Sequence, residues 1–337
     1  MMFKAIIGNG EVIKQLKEAI IRGRVHHAYL FHGPDGVGKR TAAVALAAAL
    51  NCQDPQAGDS CGKCPVCLQI KKGVHPNLHW LSPDEQRANR SIRIEQIRDL
   101  QEKLSYKRWQ GNYTVVIIDE GDLMTQAAGN SLLKVLEEPA PGTCFVLLTA
   151  RPESLLPTIL SRCQKLRFTP VKTEEILALL LKKGTSPAEG EQIAHLSNGS
   201  PGKALALLQD EKILAERAKA LSLCRSLAQG GVKEALETSE TIWKTGSEAL
   251  LEWMGFWWRD LLVWQLAGKE KLLVNLDLIK EIQTEYFEPE ALRQALMELE
   301  RARFRLDKNA NRRLCFDVMA LKINQGFRGE KEEANHG

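Results

Sequence analysis

The stretch Gly33-Pro34-Asp35-Gly36-Val37-Gly38-Lys39 lies between a short apolar run, Ala28 to Phe31, and the alanine-rich run Thr41 to Leu50. A buried strand, a glycine-rich turn and a helix in that order form the setting of a phosphate-binding loop. Gly33, Gly36 and Gly38 let backbone N–H groups turn inward around phosphate oxygens. The helix amino terminus adds positive potential, and Lys39 reaches the terminal phosphates. One position departs from this pattern. Where a Ser or Thr hydroxyl would meet a magnesium ion stands Arg40, with Thr41 one step late, and a guanidinium cannot coordinate a cation. The expectation is a loop that still takes nucleotide phosphates with Arg40 turned away, its metal-assisted hydrolysis impaired unless Thr41 reaches in.

Outward from the loop, Thr114 to Ile118 is an apolar strand ending in Asp119 and Glu120. In a nucleotide-hydrolysing site Asp119 would orient magnesium and Glu120 would polarise the attacking water. Strands are also expected at Leu78 to Leu81, Cys144 to Thr149 and Lys165 to Phe168, with helices at Glu11 to Arg22, Ile94 to Lys103 and Gly129 to Glu138. Alternating strands and helices predict an α/β domain with a parallel sheet covered on both faces, residues 1–169.

After Pro170 the strand signals stop. Thr173 to Lys182, Ser186 to Leu196 and Lys203 to Leu208 have the spacing of three short helices, a lid-sized unit over 170–209. From Asp210 to residue 328 the pattern is long amphipathic helices, an all-α unit. Trp253, Phe256, Trp257, Trp258 and Trp264 recur there at near-helical spacing and are expected to face inward. Arg301, Arg303, Arg305, Arg312 and Arg313 are expected on a solvated face. The polar segment 329–337 is expected to be disordered. The 44% apolar content suffices for cores in each unit. A net charge of +4 falls short of the Lys/Arg excess of a surface built to grip phosphates. No apolar run is long enough to cross a bilayer, so a cytoplasmic protein is expected.

Eight cysteines in such a chain argue for thiols rather than disulfides. Cys144, Cys163, Cys224 and Cys315 stand in apolar contexts and are expected in cores. Cys52, Cys61, Cys64 and Cys67 instead crowd a polar segment, with Gly62 and Pro65 favouring turns between them. Four thiolates so placed suit a closed structural zinc site. An iron–sulfur cluster is the competing reading. His75 and His79 are surplus to a four-thiolate shell and are expected to be structural.

The phosphate loop, the four-cysteine insertion after its helix and the acidic strand end, in this order, resemble the AAA+ subunits of bacterial clamp loaders. The segment Asn130-Ser-Leu-Leu-Lys-Val-Leu-Glu-Glu-Pro139 is similar to that family's helix after the acidic strand, and Pro157-Thr-Ile-Leu-Ser161-Arg162-Cys163 carries its Ser-Arg-Cys motif. The resemblance implies that Arg162 reaches across a subunit boundary to ATP held by a neighbour, and that Thr149 is the polar sensor at its strand end. His27 to Phe31, His75 to His79, Gly199 to Ala204, and Asn309 to Asn311 with Arg313-Leu314 look like the delta-prime branch rather than the tau/gamma motor branch. Motor subunits carry a sensor arginine where Gly202 stands here, followed by Lys203.

The resemblance therefore implies a stator within the DNA polymerase III assembly, hydrolysing ATP slowly or not at all. Its implied partners are the tau/gamma and delta subunits, with the sliding clamp met indirectly and primer-template DNA met through the complex; no membrane partner is implied. Its helical carboxyl unit would form a collar with the other subunits. No second acidic constellation suggests polymerase chemistry in this chain. An autonomous ATP-driven motor and a nucleotide-independent scaffold remain as alternatives.

Overall fold

A computed structural model describes residues 2–84, 90–105, 113–245, 248–307 and 310–334. Asn309 and residues 335–337 of the expected tail lie outside the described residues. The chain divides into two compact units: Met1–Lys183 with Gly199–Lys203, and Gly184–Asn198 with Ala204–Gly337. The segment 170–209 is thus apportioned between the two.

In the first unit, β1 (Ala28–His32), β2 (Leu78–Leu81), β3 (Thr114–Ile118), β4 (Thr143–Thr149) and β5 (Gln164–Arg167) form one sheet. Its order is β2-β3-β4-β1-β5, and every pairing is parallel. All residues of β3 and β4 are buried, which is why neither strand shows an alternating polar pattern. Their side chains still alternate between two cores. Val115, Ile117, Val146 and Leu148 pack with α1 (Gly10–Ile21) and α2 (Lys39–Asn51). Val116, Ile118, Phe145 and Leu147 pack on the other face with α3 (Pro65–Lys72) excluded and α4 (Ile94–Ser105), α5 (Gln126–Glu137) and α6 (Pro157–Leu160) supplying the cover. Ten of the thirteen α2 residues are buried, so the alanine run is a layer between sheet and surface rather than an amphipathic helix. The last helix wholly within this unit is α7 (Thr173–Leu181).

In β1, His32 is in register with Thr149 of β4 and with Arg167 of β5. The chain leaves β1 for the far edge at β2 and returns to its other side only at β5. Ligands of open α/β sheets bind at such switch points, beyond the carboxyl ends of the strands. Gly33–Gly38, Asp119–Glu120 and Thr149–Arg151 all emerge from that edge.

The second unit is helical: α8 (Pro187–Leu196), most of α9 (Pro201–Gln209), α10 (Glu211–Gln229), α11 (Val232–Thr245), α12 (Glu248–Ala267), α13 (Ile279–Thr284), α14 (Pro289–Asp307) and α15 (Arg312–Ala334). Trp253, Trp257 and Trp258 of α12 are each 1% exposed and form its centre, whereas Phe256 and Trp264 are only partly buried. Arg303 pairs with the exposed Glu300 three residues earlier on α14, whereas Arg301 reaches from the surface to Glu298, which is buried. Asp260, fully buried, accepts the backbone N–H groups of Val274 and Asn275. The α15 backbone stays helical through Ala334, where a disordered tail was expected from residue 329.

Candidate functional site

The phosphate loop has the backbone its glycines imply. Gly33, Gly36 and Gly38 have φ of +145°, +72° and +107°, values that side-chain-bearing residues rarely adopt. A Cβ on Gly33 would lie 2.1 Å from the Phe168 carbonyl oxygen, so this glycine also permits close approach to the chain leaving β5. Lys39, 8% exposed, folds into the loop. Its Nζ donates to the carbonyl oxygens of Gly33 at 2.5 Å and Pro34 at 2.9 Å, and lies 3.3 Å from Asp35 Oδ1. Thr41 is partly buried one residue beyond Arg40.

Arg40 lies toward the end of β3 and the ring of Trp80 on β2. Its Nε lies 3.7 Å from Asp119 Oδ2, and its guanidinium carbon sits 4.5 Å from the centroid of the Trp80 ring. An always charged, planar group held on an indole face suits a cation–π contact. The two neighbouring carboxylates are also matched to arginines. Arg90 donates to Glu120 at 2.7 Å, and Arg151 grips Asp122 Oδ2 through Nε at 3.1 Å and Nη2 at 2.9 Å. Burial raises the Glu120 pKa above the usual carboxylate range, with Arg90 opposing the shift.

Thr149, 1% exposed, donates its hydroxyl to Asp122 at 2.8 Å and accepts the Arg151 N–H at 2.9 Å. The expected sensor is therefore held in a polar network at the ends of β3 and β4. A magnesium ion does not fit this donor set: a guanidinium replaces the hydroxyl ligand, and the carboxylate beside it is already paired.

The segment Gly199–Lys203 closes against the loop within the same unit. Gly202 N donates to Gly36 O at 2.9 Å, and a Cβ on Gly202 would meet Gly36 Cα at 3.0 Å and its carbonyl oxygen at 3.2 Å. The absence of a side chain at 202 therefore has a packing cause, and an arginine there would press on the loop. Ser200 Oγ accepts the Lys203 N–H at 3.2 Å, capping the start of α9.

Arg162 follows α6 and is one-third exposed. Its Nη2 pairs with Glu137 at 2.5 Å, and its Nη1 donates to Thr158 O at 3.0 Å. Glu137 is itself half exposed.

The four clustered cysteines converge, all four sulfurs lying within 4.8 Å of one another. A tetrahedral zinc with sulfurs at about 2.3 Å needs sulfur–sulfur edges of about 3.8 Å; Cys67 Sγ and Cys52 Sγ are 3.6 Å apart. Backbone N–H groups of Cys61, Cys64 and Cys67 donate to the sulfurs of Cys52, Cys61 and Cys64 at 3.2, 3.3 and 3.4 Å. Cys64 caps α3, with Pro65 at its first position. The N–H groups of Lys63 and Cys64 bring the Cys61 thiol down to about 6, whereas burial pushes Cys67 up to about 12. These residues fit a single metal ion. His75, 4% exposed, instead accepts the Asn77 N–H on Nδ1 at 3.2 Å.

Asp59, 8% exposed, has no local sequence signal for its role and docks this loop. Its Oδ1 accepts the N–H groups of Phe3 at 2.9 Å and Ser60 at 2.8 Å; its Oδ2 accepts that of Lys4 at 3.2 Å and lies 3.4 Å from Lys17 Nζ. Trp80, Arg90, Asp122, Glu137 and Arg151 were likewise not assigned their contacts, because each partner is distant in sequence.

A parallel sheet of this order with a phosphate loop and an acidic strand end at one edge is a P-loop α/β fold. The profile for "DNA polymerase III, delta subunit" matches residues 8–172, and that for its "C terminal" part matches residues 214–325. DNA polymerase III subunit delta' of Bacillus subtilis (strain 168) is 34% identical, over 94% of this chain and 96% of that one. DNA polymerase III subunit delta' of Pseudomonas aeruginosa is 34% identical over 78% of this chain and 79% of its own. DNA polymerase III subunit tau of Bacillus subtilis is 30% identical over 96% of this chain but only 61% of its own. The chain belongs to the delta' family of DNA polymerase III clamp-loader subunits. Among the described residues, no helix is long and apolar enough to cross a membrane.

Proposed function

We propose that this chain is a cytoplasmic stator of a clamp loader, assembling with tau/gamma and delta subunits and presenting Arg162 in trans to ATP held by a neighbouring motor subunit. The segments 170–209 and 210–328 then serve as lid and collar. The sliding clamp and primer-template DNA are reached through the complex. Gly33 to Lys39, with Arg40, Thr41, Asp119 and Thr149 around it, remain a site for nucleotide phosphates, but turnover there is weak or absent.

The observation that carries this reading is the mismatch between the two arginines. Arg40 stands where a hydroxyl ligand would meet a metal and lies 3.7 Å from Asp119, which disfavours hydrolysis in cis. Arg162 is partly exposed, and its partner Glu137 is half exposed. Such pairs contribute about 0–1 kcal/mol, little enough for a polyphosphate to displace Glu137. A planar guanidinium then meets the charge of a transferred phosphoryl group.

Zinc in the shell of Cys52, Cys61, Cys64 and Cys67 would be structural, because four thiolates leave no open position for substrate. It would cross-link the segment after α2 to the start of α3. The tight sulfur spacing favours one ion over an iron–sulfur cluster, in which several irons separate the cysteines.

The test is ATP turnover in a reconstituted loader containing this chain or its Arg162→Ala variant. A loss of about 10³-fold at the neighbour's site, with the complex still assembled, is the expected result for an arginine acting in trans. Unchanged turnover in the assembled complex would remove Arg162 from that role. Turnover by the isolated chain that is abolished by Lys39→Ala would instead identify a motor.

A further inference from the structure

Three carboxylates stand at the carboxyl edge of the sheet, and each faces an arginine of this same chain. Asp119 faces Arg40, Glu120 faces Arg90, and Asp122 faces Arg151. A divalent cation arriving there meets carboxylates whose charge is already compensated. To bind Asp119 it must also displace a guanidinium anchored on Trp80. That anchor is fixed by the sheet: Trp80 is in register with Ile117 of β3, and Asp119 N donates to Leu81 O at 2.8 Å. A phosphate anion at the loop meets Lys39, which also lies 3.3 Å from the exposed Asp35, the largely exposed Arg40, and the amino terminus of α2.

We propose that the loop Gly33 to Lys39 takes a nucleoside di- or triphosphate as a metal-free polyanion, with Arg40 supplying the positive charge that a divalent ion would otherwise bring. This rests on the reading of the loop as a nucleotide site and deepens it. Arg40 has the reach for both tasks: its side chain is 71% exposed, and its guanidinium offers more N–H donors than Asp119 can use. A fixed guanidinium holds phosphate but cannot deliver a metal-bound water, so the site retains nucleotide without turning it over. Thr149 conforms to this state, its hydroxyl being engaged with Asp122.

The experiment is fluorescence-anisotropy titration of the full chain with labelled ADP and ATP, in excess magnesium and in excess EDTA, alongside Arg40→Thr and Lys39→Ala. For the unsubstituted chain the affinities in magnesium and EDTA should agree within about twofold, a difference below about 0.5 kcal/mol. Arg40→Thr should bind at least about tenfold more weakly in EDTA and recover with magnesium, since it removes the fixed charge and adds a hydroxyl ligand. Binding by the unsubstituted chain that is about tenfold tighter in magnesium overturns the proposal, as does Arg40→Thr behaving like the unsubstituted chain. Absence of binding in both conditions, or binding indifferent to Lys39→Ala, overturns the nucleotide-site reading and this proposal with it. Lys39-dependent binding that requires magnesium overturns the proposal alone.

Discussion

Replacing Asp59 tests whether the cysteine loop is held by the amino-terminal segment. Its Oδ1 accepts two buried N–H groups, those of Phe3 and Ser60, and its Oδ2 faces the less buried Lys4 N–H and the Lys17 ammonium. Asp59→Ala removes both acceptors. A buried donor left unsatisfied costs about 1–3 kcal/mol, so the two together predict a loss of about 2–6 kcal/mol. Asp59→Asn is the informative companion, because its carbonyl oxygen can stay in the Oδ1 position and keep both buried bonds. Only the partly exposed side facing Lys4 and Lys17 is lost, which predicts about 1 kcal/mol. Urea unfolding of the full chain gives the stabilities, and metal release to a chromogenic chelator reports on the loop. The alanine variant should release metal faster and the asparagine variant should stay close to the parent. Equal losses for the two variants, or a loss below about 1 kcal/mol for alanine, would refute the assignment of the stabilising role to Oδ1.

The purified protein should be colourless and contain a single zinc ion by elemental analysis, and Cys67→Ser should lose that metal and melt earlier; iron or visible colour would refute the zinc reading. Burial holds the Cys67 thiol at about 12 in the absence of metal, so it is protonated at neutral pH. Metal uptake must release that proton, and apparent affinity should rise with pH; calorimetry in buffers of different ionisation enthalpy checks this. Gly33→Ala places a Cβ 2.1 Å from the Phe168 carbonyl at a φ of +145°, and should cost more than about 2 kcal/mol in urea unfolding. An unchanged midpoint would show that the chain after β5 yields easily.

Much of the site was legible because its signals are local. The spacing of Gly33, Gly36, Gly38 and Lys39 encodes a loop conformation, and the four cysteines lie close enough in sequence for turns and one short helix to bring them together. The helix α3 itself was missed, since Pro65–Lys72 is short and partly polar, although Cys64 capping it and Pro65 opening it are recognisable start signals. The partners of Arg40 were not legible. Its neighbours on α2 give no hint of Trp80, which arrives on β2 forty residues later.

The sequence by itself determined the parallel α/β unit, the helical remainder, the phosphate loop and the clustered thiols. Each rests on periodicity or short-range spacing, which the backbone converts directly into local geometry. Only the tertiary structure decided which charges meet. The order β2-β3-β4-β1-β5 brings the ends of β1, β3 and β4 to one edge, and there Arg40, Arg90 and Arg151 find Asp119, Glu120 and Asp122. It also set Gly202 against Gly36, giving a packing reason for a glycine that the sequence showed only as a missing arginine. Such pairings depend on strand order and register, and contacts between residues far apart in the chain leave no periodic trace in a single sequence.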